Sequence, residues 1–370
     1  MERENTLIGI AYNVFEPALS RPGASISEAT VAEVAGSVLS ALTEAGYNAV
    51  ILPLRESLMS LLRRIKELKV DVLINLCEEY LGRPQLEANV AAVFEAFGIT
   101  FTGNSSKALA LCQDKFKSKA ILNSFGLPTA KGRLVTSLDQ KLDLRFPLIV
   151  KPNQEDASLG INPDSVVDSQ EALTRKISKI LTEYKQPALV EEFIQGREFN
   201  VALLETDKLE ALPVSEIDFS TMPESTPRIC SYEAKWFEDN ILFVTTPAIC
   251  PAPIDDSLRK QLHQYARAAF QAMGCRDYAR VDFRMDKEGR VYILEVNPNP
   301  DTSLDAGYCR ALKAAGLDYA QFWSLMIENA LRRKEEPWFS SEDVRIEYPF
   351  FWHHVLEKAF SKKGRRWSEQ

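Results

Sequence analysis

The sequence predicts an α/β protein with more than one packed unit. The first hundred residues alternate apolar strands with amphipathic helices, which is the pattern of a parallel sheet covered by helices. A later pair of strands, joined by an Asp-Lys-Glu-Gly turn at residues 286–289, predicts a β-hairpin. The chain has 370 residues, more than a single hydrophobic core usually organises, so we expect two or three units.

The elements of the first hundred residues occur in a regular order. Residues 7–12 form an apolar strand, and residues 28–45 carry apolar side chains at helical spacing that stops at Gly46. The remaining strands and helices of this unit are predicted at residues 49–54, 56–68, 70–76, 86–97 and 99–102. We therefore expect a Rossmann-like parallel-sheet domain over residues 1–104.

The later elements are more mixed. Helices are predicted at residues 107–125, 170–184, 257–273, 304–315 and 319–333. Strands are predicted at residues 148–151, 188–193 and 198–204, with short strands and loops between residues 213 and 253. No internal repeat interrupts this order, so the second part of the chain is expected to be α+β.

Composition narrows the classes of function. Hydrophobic residues make up 45% and charged residues 26% of the chain, as in soluble globular proteins. The net charge of −8 argues against nucleic acid or an anionic membrane as the main partner, so an anionic substrate must meet local cations. The six cysteines form no C-x-x-C pair and indicate reduced core thiols. The chain shows no signal-peptide or membrane-span pattern, so we expect a cytoplasmic protein.

The predicted hairpin carries a cluster of polar side chains on one face. Arg280 and Asp282 alternate along one strand, and Glu295 and Asn297 along the other, so each pair points the same way. If the turn closes around residues 287–288, Arg280 lies opposite Glu295, with Asp282 on the diagonal. Two carboxylates and an amide oxygen suit Mg²⁺, which also binds substrate phosphates. The alternative is a surface hairpin with solvated charges.

Three other segments have polar residues of weaker specificity. Lys151 ends an apolar strand before a small loop with Ser158, which could clamp a phosphate, although an ordinary strand-to-turn junction fits equally well. No Walker loop is present. Lys115 lies on a predicted helix, where a solvated charge is the simpler interpretation. Residues 191–194 and Glu198 could contact adenine and ribose, although a plain edge strand looks similar.

The order of these segments resembles the ATP-grasp superfamily, in its D-alanine–D-alanine ligase branch, over about residues 5–333. The strings that carry the resemblance are F-T-G-N-S, Q-D-K, V-K-P-x-x-E-D-A-S-L-G, V-E-E-F-I-Q-G-R-E-F, Y-E-A-K-W, R-V-D-F and E-V-N-P-N-P. Each string is modestly specific, but their shared order leaves little room for chance. The resemblance implies an ATP-grasp fold in which two α+β subdomains, residues 105–195 and 196–334, sandwich ATP. A helical extension, residues 335–370, would follow.

The resemblance also implies roles for the matched residues. The phosphates of ATP would be held by Lys115, Lys151 and Lys235, and covered by Ser158. The adenine edge and the ribose would be contacted by Glu191, Glu192, Ile194 and Glu198. Two Mg²⁺ ions, for which Mn²⁺ is an alternative, would be held by Asp282, Glu295 and Asn297.

The activity that the resemblance implies is ADP-forming ligation. A carboxylate would attack the γ-phosphoryl group of ATP to form an acyl phosphate, and an amine would then displace phosphate. The first step depends on positioning and charge neutralisation, which lysines and magnesium supply. The second step needs a cation at the developing oxyanion, and Arg280 suits that role. We expect small, amino-acid-like carboxylate and amine substrates.

The chain departs from this family where D-alanine would bind. Ala157 stands in place of the first Ser of a Ser-Ser pair, and Trp236 stands in place of a Tyr. Those hydroxyls belong to a network around an N-terminal glutamate, for which this chain offers Ser-Glu-Ala at residues 27–29. Residues 77–83 replace an H-G-G-x-G-E-D-G loop. Residues 298–305 replace a loop whose Ser-Leu pair holds the second substrate's carboxylate, and they are shorter and more acidic.

Rival functions stay open at this point. They are a D-alanine–D-alanine ligase with a remodelled site, a nucleotide-binding protein without ligase activity, and a ligase that uses a hydroxyl or thiol nucleophile. The three histidines, His263, His353 and His354, show no spacing for a metal site or a catalytic triad. In the extension, an apolar helical face over residues 350–360 favours packing on the body or a homodimer over membrane binding.

Overall fold

The N-terminal part of the chain is a three-stranded parallel sheet with helices. The computed structural model describes residues 5–14, 25–55 and 57–335. The strands are β1 (Leu7–Asn13), β2 (Asn48–Leu54) and β3 (Val72–Asn75), and the helices are α1 (Ser25–Glu44), α2 (Leu58–Leu68) and α3 (Glu87–Ala96). The strand order β2-β1-β3 confirms the predicted parallel sheet. The predicted strand at residues 99–102 contributes only one parallel bridge, between Leu73 and Phe101.

Both faces of this sheet are covered, which explains why its strands are continuous apolar runs in the sequence. Ile8 and Ile10 are fully buried in one core together with Val38 of α1. Leu73 points to the opposite face and is buried in a second core with Phe94 of α3. The polar residues that follow the strands are therefore left at one edge of the sheet.

The predicted helix at residues 107–125 is two helices, because the chain breaks at Asp114. They are α4 (Ser106–Gln113) and α5 (Lys115–Ser124). Asp114 has φ −81° and ψ 91°, and its carboxylate accepts a hydrogen bond from the backbone N–H of Lys117 at 3.1 Å, so it caps the second helix. Asn153 donates to the same carboxylate at 2.9 Å. The break places Lys115 at the start of a helix instead of in the middle of one.

The central part of the chain contains a four-stranded antiparallel sheet in the order β4-β7-β5-β6, numbered along the chain. The strands are β4 (Gly132–Val135), β5 (Leu148–Pro152), β6 (Val166–Val167) and β7 (Ala188–Glu192). Helix α6 (Gln170–Lys179), extended by a π-helical turn over Ile180–Tyr184, packs Leu173 and Ile177 against Val150 and Val190. Packing of this helix against one face of the sheet fixes the position of β5, and with it the backbone of Lys151 at the end of the strand.

The third sheet has the order β11-β10-β8-β12-β13, with β9 added beside β8. Its strands are β8 (Gly196–Glu205), β9 (Leu209–Ala211), β10 (Ser215–Ile217), β11 (Ala248–Ile249), β12 (Tyr278–Asp286) and β13 (Val291–Asn297). The helices of this part are α7 (Tyr232–Trp236), α8 (Ile241–Val244), α9 (Asp256–Ala272), α10 (Gly307–Ala314) and α11 (Tyr319–Glu335). Buried residues of α9, among them Leu262 and Phe270, share a core with Val281 and Ile293 of the hairpin.

The hairpin β12–β13 forms as predicted, but its register differs from the prediction. Arg280 pairs with Asn297, and Asp282 pairs with Glu295, so the predicted pairing of Arg280 with Glu295 is wrong by two residues. The turn is one residue longer than expected, and a β-bulge beside Asp282 adds the second residue. Since a shift of two residues keeps every side chain on its face, the four polar groups still converge.

Each of the three sheets lies within one predicted segment of the chain. On this ground we propose domain boundaries at residues 104, 195 and 334, as expected from the sequence. No helix among the described residues is long and apolar enough to cross a membrane. The side chains of residues 27–29 and the whole of residues 336–370, with the apolar face and two of the histidines, lie outside the described residues, so the homodimer stays a prediction.

Candidate active site

A cavity of about 790 Å³ is lined by residues from all three sheets. It contains the predicted site residues Lys151, Ser158, Glu191, Glu192, Ile194, Glu198, Lys235, Arg280, Asp282, Glu295 and Asn297. Lys115 is not part of the lining. It is buried behind the wall and its Nζ lies 3.4 Å from Glu295 Oε2. The structure therefore brings residues that are up to 182 positions apart in the sequence, Lys115 and Asn297, to one place.

The hairpin supplies the centre of the cavity wall. Arg280 Nε and Nη2 donate to the two oxygens of Asp282 at 2.7 and 2.8 Å, which is a bidentate pair. Asn297 Nδ2 donates to Asp282 at 2.9 Å and reaches Glu295 at 3.5 Å. Burial alone would raise the pKa of Glu295, but Lys115 and other nearby cations lower it to about 2. Glu295 is therefore ionised at neutral pH, as a metal ligand must be.

Lys115 is fixed by acceptors on three sides. Its Nζ lies 2.6 Å from the carbonyl oxygen of Glu155 and 2.9 Å from Asp156 Oδ1, in addition to Glu295. Burial would lower the pKa of Lys115, but Asp156 and Glu295 raise it above its ordinary value. The ammonium group therefore stays charged although only 4% of the residue is exposed.

Lys151 belongs to a buried ion cluster that the sequence patterns do not suggest. Its Nζ lies 2.9 Å from Glu191 Oε2, and the other oxygen of Glu191 lies 2.8 Å from Lys119 Nζ. Burial would raise the pKa of Glu191, but the two lysines lower it below its ordinary value. The carboxylate of Glu191 is therefore occupied as a counter-ion between the two lysines.

The other residues predicted for the nucleoside have partners as well. Glu192 accepts a hydrogen bond from the exposed side chain of Arg145 at 3.2 Å. Glu198 is paired with Arg284 at 3.2 Å. Burial raises the pKa of Glu198, although Arg284 opposes the shift. Ile194 lies between Glu192 and Glu198 in the sequence and is an apolar part of the cavity lining.

The sequence analysis does not single out two further residues of the site, Lys119 and Asn200. Lys119 lies one helical turn after Lys115 on α5, so the i,i+4 spacing is the signal that could have found it. Asn200 follows Glu198 by two residues in β8, lines the cavity and pairs with Asp282 across the sheet. Strand alternation from Glu198 is the signal for Asn200.

The donor set at the hairpin fits a divalent cation that shares its ligands with a substrate. Among the described residues, no group of three or more His, Cys, Asp and Glu side chains forms a metal cage. Asp282 and Glu295 offer two carboxylates, and Asn297 offers one amide oxygen once its amide group turns, since Nδ2 now faces the carboxylates. Mg²⁺ commonly has few protein ligands and completes its shell with water and phosphate oxygens.

Residues 78–79 and 298–305 form one end of the cavity, which we call the acidic end. Asn299 Nδ2 donates to the backbone carbonyl of Cys77 at 3.3 Å and to Glu87 Oε1 at 3.0 Å. These bonds join the loop after β3 to the loop after β13. The two loops that depart most from the family pattern therefore form one surface.

Carboxyl groups dominate this acidic end. Burial against the cavity walls and the carboxylate of Asp301 raise the pKa of Glu78 to about 8, although Lys235 opposes the shift. The side chain of Glu78 is exposed inside the cavity, so water screens part of this effect. Ser303 donates its hydroxyl to Asp301 at 2.6 Å, and Arg310, which donates to the backbone carbonyl of Asp305, is a cation on this wall.

Comparisons with known proteins agree with the geometry. The family described as D-ala D-ala ligase C-terminus matches residues 122–328. The uncharacterized protein y4sG of Sinorhizobium fredii is 34% identical over 306 residues, which cover 81% of this chain and 88% of that protein. The D-alanine–D-alanine ligase of Haemophilus influenzae is 28% identical over 303 residues, or 80% and 94% of the two chains. The crystal structure of D-alanine–D-alanine ligase from Bacillus anthracis complexed with ATP has a TM-score of 0.71 at 23% identity and covers 90% and 99%, which confirms the predicted fold class.

Proposed function

The chain belongs to the D-alanine–D-alanine ligase family, and we propose that it uses Mg-ATP to join a small carboxylate to an amine, forming ADP. The observation that carries the proposal is the meeting of Lys151, Arg280, Asp282 and Glu295 on one cavity. Lysines near acidic metal ligands suit a nucleoside triphosphate. A protein that only stores a nucleotide has no need of the guanidinium, since that group is matched to an oxyanion.

The phosphoryl-transfer half would depend on the buried lysines. Lys151, which lines the cavity, would turn from Glu191 to the phosphate oxygens, and Lys115 would move out from behind the wall to join it. Together they would hold the γ-phosphorus near the substrate carboxylate. Asp282, Glu295 and Asn297 would hold the divalent cation, which supplies charge neutralisation on the phosphates when bound. We propose Mg²⁺ as that cation, with Mn²⁺ as the alternative, because the donors are oxygens.

The ligation half would depend on Arg280. The amine nitrogen attacks the carbonyl carbon of the acyl phosphate, the carbon–oxygen bond to phosphate breaks, and the nitrogen loses a proton. Burial would lower the pKa of Arg280, but Asp282 and Glu295 raise it above its ordinary value, so the guanidinium stays cationic. A fixed cation beside the tetrahedral intermediate stabilises its oxyanion, because little reorganisation is needed as charge develops.

The acidic end favours an amine without a carboxylate as the nucleophile. Glu78, Asp301 and Asp305 line the cavity there, and a second carboxylate would meet their repulsion. A neutral or cationic amine would not. Asp305 has an alternative role, because it precedes α10 and an acid there also favours the positive end of a helix.

The test is ADP formation with Mg-ATP and a panel of amines, with D-alanine as the carboxylate substrate. We expect faster turnover with amines that lack a carboxylate than with D-alanine alone. Asp305→Asn should narrow this difference. Efficient D-alanyl-D-alanine synthesis with kinetics unchanged by Asp305→Asn would favour a remodelled D-alanine–D-alanine ligase, and ATP binding without turnover on any pair would favour a nucleotide-binding protein.

A further inference from the structure

The loop after β5, residues 156–161, has an unusual backbone. Ala157 and Ser158 have φ values of 54° and 62°, and Gly160 has a φ of 78°. Residues with a Cβ rarely adopt positive φ, so two in succession require outside contacts to hold them. Contacts from another part of the chain must therefore hold the loop in this conformation.

The contacts that hold this loop come from residues 230–236 of the third part. Ser158 Oγ donates to the carbonyl of Cys230 at 3.0 Å, and the N–H of Tyr232 donates to the carbonyl of Ile161 at 2.8 Å. Trp236 Nε1 donates to the carbonyl of Ala157 at 3.0 Å. Three hydrogen bonds therefore join the loop of one sheet to a short helix connected to another sheet.

Trp236 has a second contact that reaches into the cavity. The Nζ of Lys235 lies 4.9 Å from the centroid of the indole ring, which is within the range of a cation–π interaction. Lys235 lines the cavity next to the loop. The Trp236 side chain thus contacts both the backbone of the loop and a cation that lines the cavity.

We propose that Trp236 is the positioning residue that fastens the loop of residues 156–161 over the triphosphate, an inference that rests on the proposed ATP-dependent function. The indole N–H bonds to a backbone carbonyl, so Ala157 contributes to this fastening without a hydroxyl. The contact involves no group at the acidic end. The fastening of this loop over the nucleotide therefore does not depend on how the amino group of the substrate is bound.

The first test is Trp236→Phe, which keeps an aromatic ring near Lys235 and removes the N–H. Loss of one hydrogen bond should raise the KM for Mg-ATP about fivefold to tenfold, with kcat at saturating ATP changed less than twofold. ADP released per ligation product should also rise, because a loose loop admits water to the phosphates. A wild-type KM together with wild-type coupling would overturn the inference.

A rescue experiment separates fastening from general packing. Trp236→Tyr alone should raise the KM for Mg-ATP, whereas the double variant Ala157→Ser with Trp236→Tyr can form a hydroxyl–hydroxyl bond and should recover most of the loss. An equal defect in the single and the double variant would show that Trp236 acts through packing. Ala157→Ser in the Trp236 background is the matched control.

Hydrogen exchange provides a readout that does not depend on turnover. A non-hydrolysable ATP analogue with magnesium should slow exchange of the amides of residues 156–161 in the wild type, and should slow it less in Trp236→Phe. Equal protection in both proteins counts against the fastening role. Failure of the wild type to bind the analogue at all would instead refute the proposed ATP-dependent function.

Discussion

The two ends of the cavity hold their charges in different ways. The proposed nucleotide end comprises Lys151, Glu191 and the hairpin β12–β13, with Lys115 buried behind them. There Lys115 is 4% exposed and Glu191 is 1% exposed, and each has an opposite charge within 2.9 Å. At the acidic end, Glu78 is exposed and has the like charge of Asp301 nearby, which helps to raise its pKa. The buried ion pairs at the nucleotide end are stabilising only while both partners of each pair are present. The like charges at the acidic end are tolerated because water reaches them.

The difference follows from the elements that carry the residues. Strands β5, β7, β12 and β13 and the start of α5 position the nucleotide end, and the face of each strand that turns away from the cavity is packed in a hydrophobic core. Loops position the acidic end, and loops tolerate substitution with less effect on the core.

The largest effect on activity is expected when a proposed metal ligand is removed from the nucleotide end. Asp282→Asn and Glu295→Gln keep side-chain size but lose charge, so Mg-ATP-dependent turnover should fall on the order of a thousandfold or more. Turnover is measured as ADP formation, and circular dichroism checks the fold. Glu288→Gln, an exposed carboxylate in the turn of the same hairpin, is the control. Undiminished turnover in both variants, or wild-type turnover in excess chelator, would contradict the metal assignment.

A smaller effect is expected when only the oxyanion group is removed. Arg280→Ala should lower kcat about 10²–10³-fold, the scale of one oxyanion donor, and should leave nucleotide binding largely intact. Titration with a non-hydrolysable ATP analogue measures binding, and saturating Mg-ATP isolates kcat. Arg290→Ala, at the exposed end of the hairpin, should behave like the wild type. If Arg280→Ala prevented nucleotide binding but gave a normal kcat at saturation, the group would belong to the nucleotide site.

The smallest effect should be seen at the acidic end, in the dependence of stability on pH. The pKa of Glu78 is raised from its ordinary 4.5 to about 8 in the folded protein, so the folded state binds the proton more tightly than the unfolded state. This contribution is fully present below pH 4.5 and is lost as the pH rises toward about 8. Glu78→Gln should therefore flatten the decline of Tm over that range, by a modest amount because water screens the group. Identical Tm profiles for the variant and the wild type would show that Glu78 is not perturbed.

The sequence predicts the nucleotide end better than the acidic end for a physical reason. Arg280 and Glu295 lie in strands, where alternation fixes the face of each side chain even though the register is wrong by two residues. The break at Asp114 is not visible in apolar periodicity, because it depends on a hydrogen bond from the distant Asn153. The acidic end combines two loops through Asn299, and no local pattern encodes that contact.

The same limit applies to the ion cluster around Glu191. Its position near a strand end suggests contact with a nucleoside, but the partners of its carboxylate depend on α5 and β5 together. The sequence identifies a charged residue and the face of the strand on which it lies. The sequence does not show whether a second charge neutralises that residue, because the pairing depends on tertiary packing.

The internal ion pairs make ligand binding an exchange of counter-ions. Asp282 is neutralised by Arg280 and Glu295 by Lys115, so a divalent cation would have to replace a positive partner that is already present. A triphosphate would likewise compete with a carboxylate for Lys115. The divalent cation alone would leave Arg280 and Lys115 without their carboxylate partners, and the triphosphate alone would leave Glu295 without Lys115. The two ligands together would compensate both the carboxylates and the cations. Cooperative uptake of metal and nucleotide would thus be a property of the charge pairing itself.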